Sequence, residues 1–159
     1  DPVDSLAGVT FRHLAMLAQI KTSDDDVWNS LRNSGHLSGE PNSALQNRLE
    51  RMRNWIGSIH FPEDARINIQ KVIDENSRAQ LTPEQLSFLE KLAVEIGDSE
   101  WSDEAIGNTI RMTSANSGVS GREAYIALYW AMLGRSHGPK ASSLLFEIGK
   151  DDAIKLLSS

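Results

Sequence analysis

The stretch Thr82-Pro83-Glu84-Gln85-Leu86-Ser87-Phe88-Leu89-Glu90-Lys91-Leu92-Ala93-Val94-Glu95-Ile96-Gly97 decides the fold class. It opens with a hydroxyl that can cap, a proline at the first helical position, and a glutamine three residues after the threonine. In that arrangement the threonine oxygen accepts from a free helical N–H, and the glutamine reaches back to the N–H of the cap. The proline has no N–H to leave unpaired. Leu86, Leu89, Leu92, Ala93 and Ile96 then recur at the spacing of one helix face. Gly97 stands where a left-handed stop is expected, because glycine takes positive φ without a Cβ clash.

Downstream the same grammar repeats. Ser102 is placed to cap a helix that turns Ala105, Ile106, Ile110 and Trp101 inward and breaks at Asn116-Ser117-Gly118. Ser120 and Glu123 form a second box. The helix they open runs through Tyr125, Ile126, Leu128, Tyr129, Met132 and Leu133 to Gly134, and its apolar character nearly all round predicts burial on several sides. Gly138-Pro139 start a short helix over Leu144, Leu145 and Phe146. Gly149 leads to a last one with Ile154 and Leu157.

Upstream, Thr10 precedes Phe11, Leu14, Leu17 and Ala18, which predicts a helix to about Ile20. Ser23 then precedes Asp24, Asp25 and Asp26, acids suited to the positive end of a helix carrying Val27, Trp28 and Leu31. That triplet is read as a solvated first turn rather than a cation site. Asn33 to Asn42 form a loop, and Ser43 opens a third helix with Leu45, Leu49, Met52, Trp55, Ile56 and Ile59 on one face. Arg48, Arg51 and Arg53 occupy the remainder of that helix. His60-Phe61-Pro62 stops it, since proline disfavours helix in the residue before it. Arg66-Ile67-Asn68-Ile69-Gln70 alternates like a strand but has no partner, so an extended connector is expected. The expected fold is all-α, a helical bundle or α-helix cage built as one domain or as two small lobes. The lobes would be 1–61 and 81–159, with 62–80 as connector.

At 159 residues without cysteine, the chain can bury a core unaided by disulfides or thiolate metals, and it fits a reducing compartment. No apolar run is long enough to cross a bilayer, and no start resembles a signal peptide. Because the chain begins at Asp1 rather than Met, it is expected to be a piece of a longer protein. The net charge of −6 argues against a general nucleic-acid binder. The acid concentrates in residues 1–30 and 61–100, however, while 31–60 and 121–159 lean basic, so a cationic face remains available.

No glycine-rich phosphate loop, metal-spaced histidine pair or nucleophile elbow occurs. His13, His36, His60 and His137 share no ligand spacing. Asp74-Glu75 and Asp151-Asp152 are adjacent, diverge on a helix, and read as solvated charge. No catalytic or metal site is expected. Leu133-Gly134-Arg135-Ser136-His137-Gly138-Pro139-Lys140 packs two glycines, a proline and three cationic side chains between helices. Helix-start N–H groups with Arg135 and Lys140 beside them suit a phosphate. A tight turn whose cations complement a helix end explains the same residues and is preferred. Trp28, Trp55, Trp101 and Trp130 are candidates to stack on unpaired bases. The apolar stripes assign Trp55 and Trp130 to the core, and Trp28 and Trp101 fit either reading.

Several of these pieces, in this order, resemble the C-terminal helical domain of class I lysyl-tRNA synthetases. They are Arg53-Asn54-Trp55-Ile56, Phe61-Pro62-Glu63-Asp64, Leu81-Thr82-Pro83-Glu84-Gln85 with Phe88-Leu89, Ala124-Tyr125-Ile126-Ala127-Leu128-Tyr129, Leu133-Gly134-Arg135, Gly138-Pro139-Lys140 and Ile148-Gly149-Lys150. The resemblance runs over most of the chain and is strongest from about Arg51 onward. It implies a cytoplasmic helix-cage domain that grips the anticodon end of tRNA(Lys), with an ATP- and lysine-binding catalytic domain before Asp1 and no cofactor in the present piece. The nearest rival is the equivalent domain of a glutamyl-tRNA synthetase. A helical protein–protein interaction module is the alternative from another class, supported by the acidic balance. For RNA contact the candidates, chosen by charge in the basic C-terminal third, are Arg111, Arg122, Arg135, His137 and Lys140.

Overall fold

The computed structural model describes residues 9–159. Among these residues the chain forms nine α-helices and one 3-10 turn and no strand, which bears out the all-α expectation. The chain divides into two compact units, with the boundary between Ile67 and Asn68.

The first unit contains α1 (Phe11–Ile20), α2 (Asp24–Asn33), α3 (Ser43–Ile56) and the 3-10 turn Glu63–Ala65. Each helix starts on a side-chain oxygen. Thr10 Oγ1 accepts from His13 N at 3.1 Å and Ser23 Oγ from Asp26 N at 3.1 Å. At α3 the cap is Asn42, whose Oδ1 accepts from Leu45 N at 2.8 Å, so Ser43 is the first helical residue. Helix α1 packs on α2 and α3 around Leu14, Leu17, Val27, Leu31, Leu45 and Leu49, all buried. The Asp24 carboxylate accepts from Arg53 Nε at 2.8 Å. Gln19 holds the tail of the unit, its Nε2 donating to Ala65 O at 3.3 Å and its Oε1 accepting from Ile67 N at 2.9 Å.

Two expectations fail at the end of α3. The helix stops at Ile56, where the Ser58 hydroxyl donates to the Trp55 carbonyl at 2.7 Å and competes for an acceptor that another helical turn would use. Ile59 therefore leaves the stripe and is 95% exposed, and Trp55, assigned to the core, is 37% exposed.

The second unit begins with an extended segment, as expected for residues 66–70. Gln70 N donates to Met132 O at 2.8 Å and Gln70 Nε2 to Trp130 O at 2.8 Å. A short helix absent from the sequence reading follows, α4 (Glu75–Ala79). Asp74, read as solvated charge, is its cap and accepts from Ser77 N at 2.7 Å. The Ser77 backbone N–H, and after it the Ser77 hydroxyl, hold that carboxyl below its ordinary range. Helix α5 (Pro83–Gly97) carries the complete box, with Gln85 N on Thr82 Oγ1 at 3.1 Å and Thr82 N on Gln85 Oε1 at 2.9 Å. Its buried face is Gln85, Phe88, Leu89, Leu92, Ala93 and Ile96. Phe88 occupies the place given to Leu86, which is half-buried. Gly97 is not left-handed: it is the last residue of α5, and the chain leaves through Asp98 at φ −94° with the Ser99 hydroxyl on Ile96 O.

Helices α6 (Asp103–Ser117) and α7 (Gly121–Leu133) end at the expected glycines, which are left-handed, Gly118 at φ +73° and Gly134 at φ +69°. Then come α8 (Ala141–Ile148) and α9 (Lys150–Leu157). Helix α5 packs against α6, α7 and α9, while α7 meets α4, α5, α6, α8 and α9, which accounts for its apolar circumference. Even so, Tyr125, Ile126, Tyr129 and Trp130 are only half-buried, so Trp130 is a partial rather than a full core residue. Trp28 is buried, and half-buried Trp101 donates from Nε1 to Phe146 O at 3.2 Å. No helix among the described residues is long and apolar enough to cross a membrane.

Candidate nucleic-acid interface

Between α7 and α8 the two glycines of the turn have separate structural duties. Gly134 supplies the left-handed step that ends α7. At Gly138 a Cβ would fall 2.5 Å from Leu133 Cδ1, so a larger residue here would push the end of the Leu133 side chain aside. Arg135 bends back along the turn, its Nε donating to the His137 carbonyl at 3.1 Å, and the His137 side chain is exposed. Lys140 is the cap residue of α8, and its ammonium lies 3.2 Å from Asp103 Oδ1.

Asp103 organises this end of the unit. It stands in the first turn of α6, and its carboxylate accepts from the Ser142 and Ser143 hydroxyls in the first turn of α8 as well as from Lys140. Burial alone would raise its carboxyl. The two hydroxyls and the ammonium outweigh burial and hold it below the ordinary carboxylate range. At the place read from sequence as suited to a bound phosphate, Lys140 faces the Asp103 carboxylate at the start of α6 rather than a helix C-terminus.

The five cations named from sequence are unevenly placed. A Cβ on Gly107 would lie 3.5 Å from Arg111 Nη1 and 3.9 Å from Ser142 Oγ, so the Arg111 guanidinium borders the start of α8, on the side of Lys140. Arg111 also donates to Asn108 Oδ1. Arg135 and His137 belong to the turn that leads there. Arg122 stands in the first turn of α7, a helix length of about 20 Å from Gly134. It forms no ion pair among the described residues. A groove of about 330 Å³ between α5 and α6, lined by Lys91, Glu95, Thr109, Met112 and Asn116 among others, includes none of the five.

Sequence reading missed a second feature, in the first unit. Phe11, 46% exposed, and Trp55 have ring centroids 5.8 Å apart at 47°. Phe61 meets Trp55 edge-on at 4.8 Å, and the Arg66 guanidinium lies 5.0 Å from the Phe61 centroid. The available signal was the stop at His60-Phe61-Pro62: a stripe that runs into a helix end leaves its last members with little to pack against.

Fold and charge placement together describe a helical module, and the chain belongs to the anticodon binding domain family, whose model matches residues 14–158. Lysine–tRNA ligases are among its relatives. The chain is 25% identical over 151 residues to a lysine–tRNA ligase of Picrophilus torridus, covering 95% of this chain and 29% of that protein. Against the lysine–tRNA ligase of Methanopyrus kandleri it is 27% identical over 163 residues, covering 94% and 29%. Against that of Pyrococcus horikoshii it is 26% identical over 162 residues, covering 98% and 30%. The chain spans under a third of the length of these relatives.

Proposed function

We propose that this chain is the tRNA-gripping part of a lysine–tRNA ligase and holds the anticodon end of tRNA(Lys). The observation that carries the reading is the anticodon binding domain match over residues 14–158, with lysine–tRNA ligases among the relatives it aligns to. In the parent protein an upstream domain would bind ATP and lysine, and the present chain would fix the tRNA rather than do chemistry. Arg111, Arg122, Arg135, His137 and Lys140 are the proposed contacts to the RNA backbone. Lys140 contributes least of the five, because Asp103 already shares its charge.

The test is filter binding of the chain to tRNA(Lys), tRNA(Glu) and an unrelated tRNA across a salt series. Expected is preference for tRNA(Lys), an affinity that falls steeply with salt, and weaker binding to every tRNA after Arg135→Ala. Preference for tRNA(Glu) would transfer the reading to the glutamate enzyme. Failure to bind any of the three at low salt would leave only the protein-interaction alternative.

A further inference from the structure

The exposed rings of the first unit lie beside two arginines, Arg48 and Arg51, that form no ion pair among the described residues, while Arg66 over Phe61 is paired with Glu63 at 3.2 Å. Arg48, Arg51 and Trp55 fall at i, i+3 and i+7 of α3, so both guanidinium stems share a helix face with the indole. Arg51 is exposed and Arg48 half-buried, and neither forms an ion pair among the described residues. On this face rings and guanidinium groups adjoin: Arg48 and Arg51 precede Trp55 on α3, and Phe11 and the buried Phe61 each contact the indole. An unpaired nucleic-acid strand offers the complement of both groups, a flat π face for a ring and a phosphate for a guanidinium.

From this juxtaposition we propose that the α3 face of the first unit is a stacking platform for an unpaired RNA base. Trp55 and Phe11 take the base, Arg48 and Arg51 take the flanking phosphates, and Phe61 braces the indole edge-on. A protein partner fits less well, because an apolar interface closing here would strip water from two guanidinium groups without returning an anion to either. The inference rests on the tRNA-binding reading and adds which part of the chain holds the unpaired base, a part outside the basic C-terminal third.

The test is a titration of the whole chain, followed by NMR, with a short RNA hairpin bearing an unpaired loop and with a fully paired duplex of similar length. The four tryptophans give four indole N–H signals, and the one from Trp55 is identified by its loss in Trp55→Phe. Expected is movement of the Trp55 signal with the hairpin and not with the duplex. Trp55→Ala should weaken hairpin binding by about five- to 150-fold, while Trp55→Phe, which keeps a ring, retains most of it. Arg51→Ala should weaken hairpin and duplex alike and lower the log–log salt slope by roughly 0.7 to 0.9. Should Trp55→Ala unfold the unit, the Trp55 signal of the unaltered chain and the Arg51→Ala result decide. Hairpin binding with the Trp55 signal unmoved and Arg51→Ala without effect would overturn the platform and leave the tRNA-binding reading intact. A chain that self-associates through Trp55 while binding hairpin as tightly without it would overturn the platform in favour of a dimer face. No RNA bound by the unaltered chain would remove both readings.

Discussion

Replacing Asp103 by alanine tests the best-connected polar group described here. Its carboxylate accepts two hydroxyls, from Ser142 and Ser143, and faces the Lys140 ammonium. A hydrogen bond to a charged group contributes about 1.5–3 kcal/mol, so the two hydroxyls together stand for about 3–6 kcal/mol. The ion pair adds at most about 1 kcal/mol, because the lysine side chain is 73% exposed. Against this stands the cost of partly burying the carboxylate, which the alanine variant escapes. Both serines are buried, and rotation of their hydroxyls recovers only part of what is lost. The expected net loss is about 3 kcal/mol, or roughly 6–12 °C in Tm for a chain of 159 residues.

Urea denaturation followed by circular dichroism gives the free energy, and its pH dependence gives the mechanism. Because the folded carboxyl titrates below its ordinary range, the unfolded chain takes up the proton first as pH falls. The contribution of Asp103 is therefore complete at neutral pH and is lost as pH drops below about 4 and through the lower folded value. Asp74 and Glu123, lowered by the backbone N–H groups they accept from, titrate in both proteins and cancel in the difference. Asp103→Asn should show an intermediate loss that shrinks over the same pH range, because the pH dependence belongs to the wild-type carboxyl. A loss under about 0.5 kcal/mol, the range of an ordinary surface change, or a wild-type-minus-variant difference that stays constant down to pH 2, refutes the reasoning.

Two further outcomes follow from packing and backbone geometry. Phe88→Ala, at a fully buried position on α5, should cost about 3–5 kcal/mol in the same denaturation assay, whereas Leu86→Ala, half-buried beside it, should cost clearly less. Gly134→Ala should cost about 1–2 kcal/mol from the left-handed backbone alone, since the added Cβ meets Gln70 at an ordinary 3.5 Å, and Gly97→Ala, right-handed at its helix end, should be neutral or stabilising.

The helix starts were legible because each is a local event. Ser23, the Thr82–Gln85 pair, Ser102 and the Ser120–Glu123 pair all cap where their spacing places them. What sequence could not carry was length and partnership. Helix α4 is five residues long with only Ser77 buried, so it has no stripe to find. Trp55 reads as core because its stripe is continuous in sequence, yet the Ser58 hydroxyl ends the helix just beyond it. Charge was the least legible property of all. Lys140 and Asp103 lie on different helices, and no local pattern announces that one neutralises the other. Arg48 and Arg51, on a helix that sequence read for its apolar face, form no ion pair among the described residues and share a face with an exposed ring.

A carboxylate held ionised where α8 begins also bears on kinetics. With a net charge of −6 and Lys140 engaged internally, this chain exerts little pull on a polyanion across a screening distance of about 8 Å. Encounter should then run near the unsteered rate of about 10⁵–10⁶ M⁻¹ s⁻¹ and change little with ionic strength, while the lifetime of the contact carries the salt dependence. A surface of this kind does not collect passing nucleic acid; it discriminates after touching.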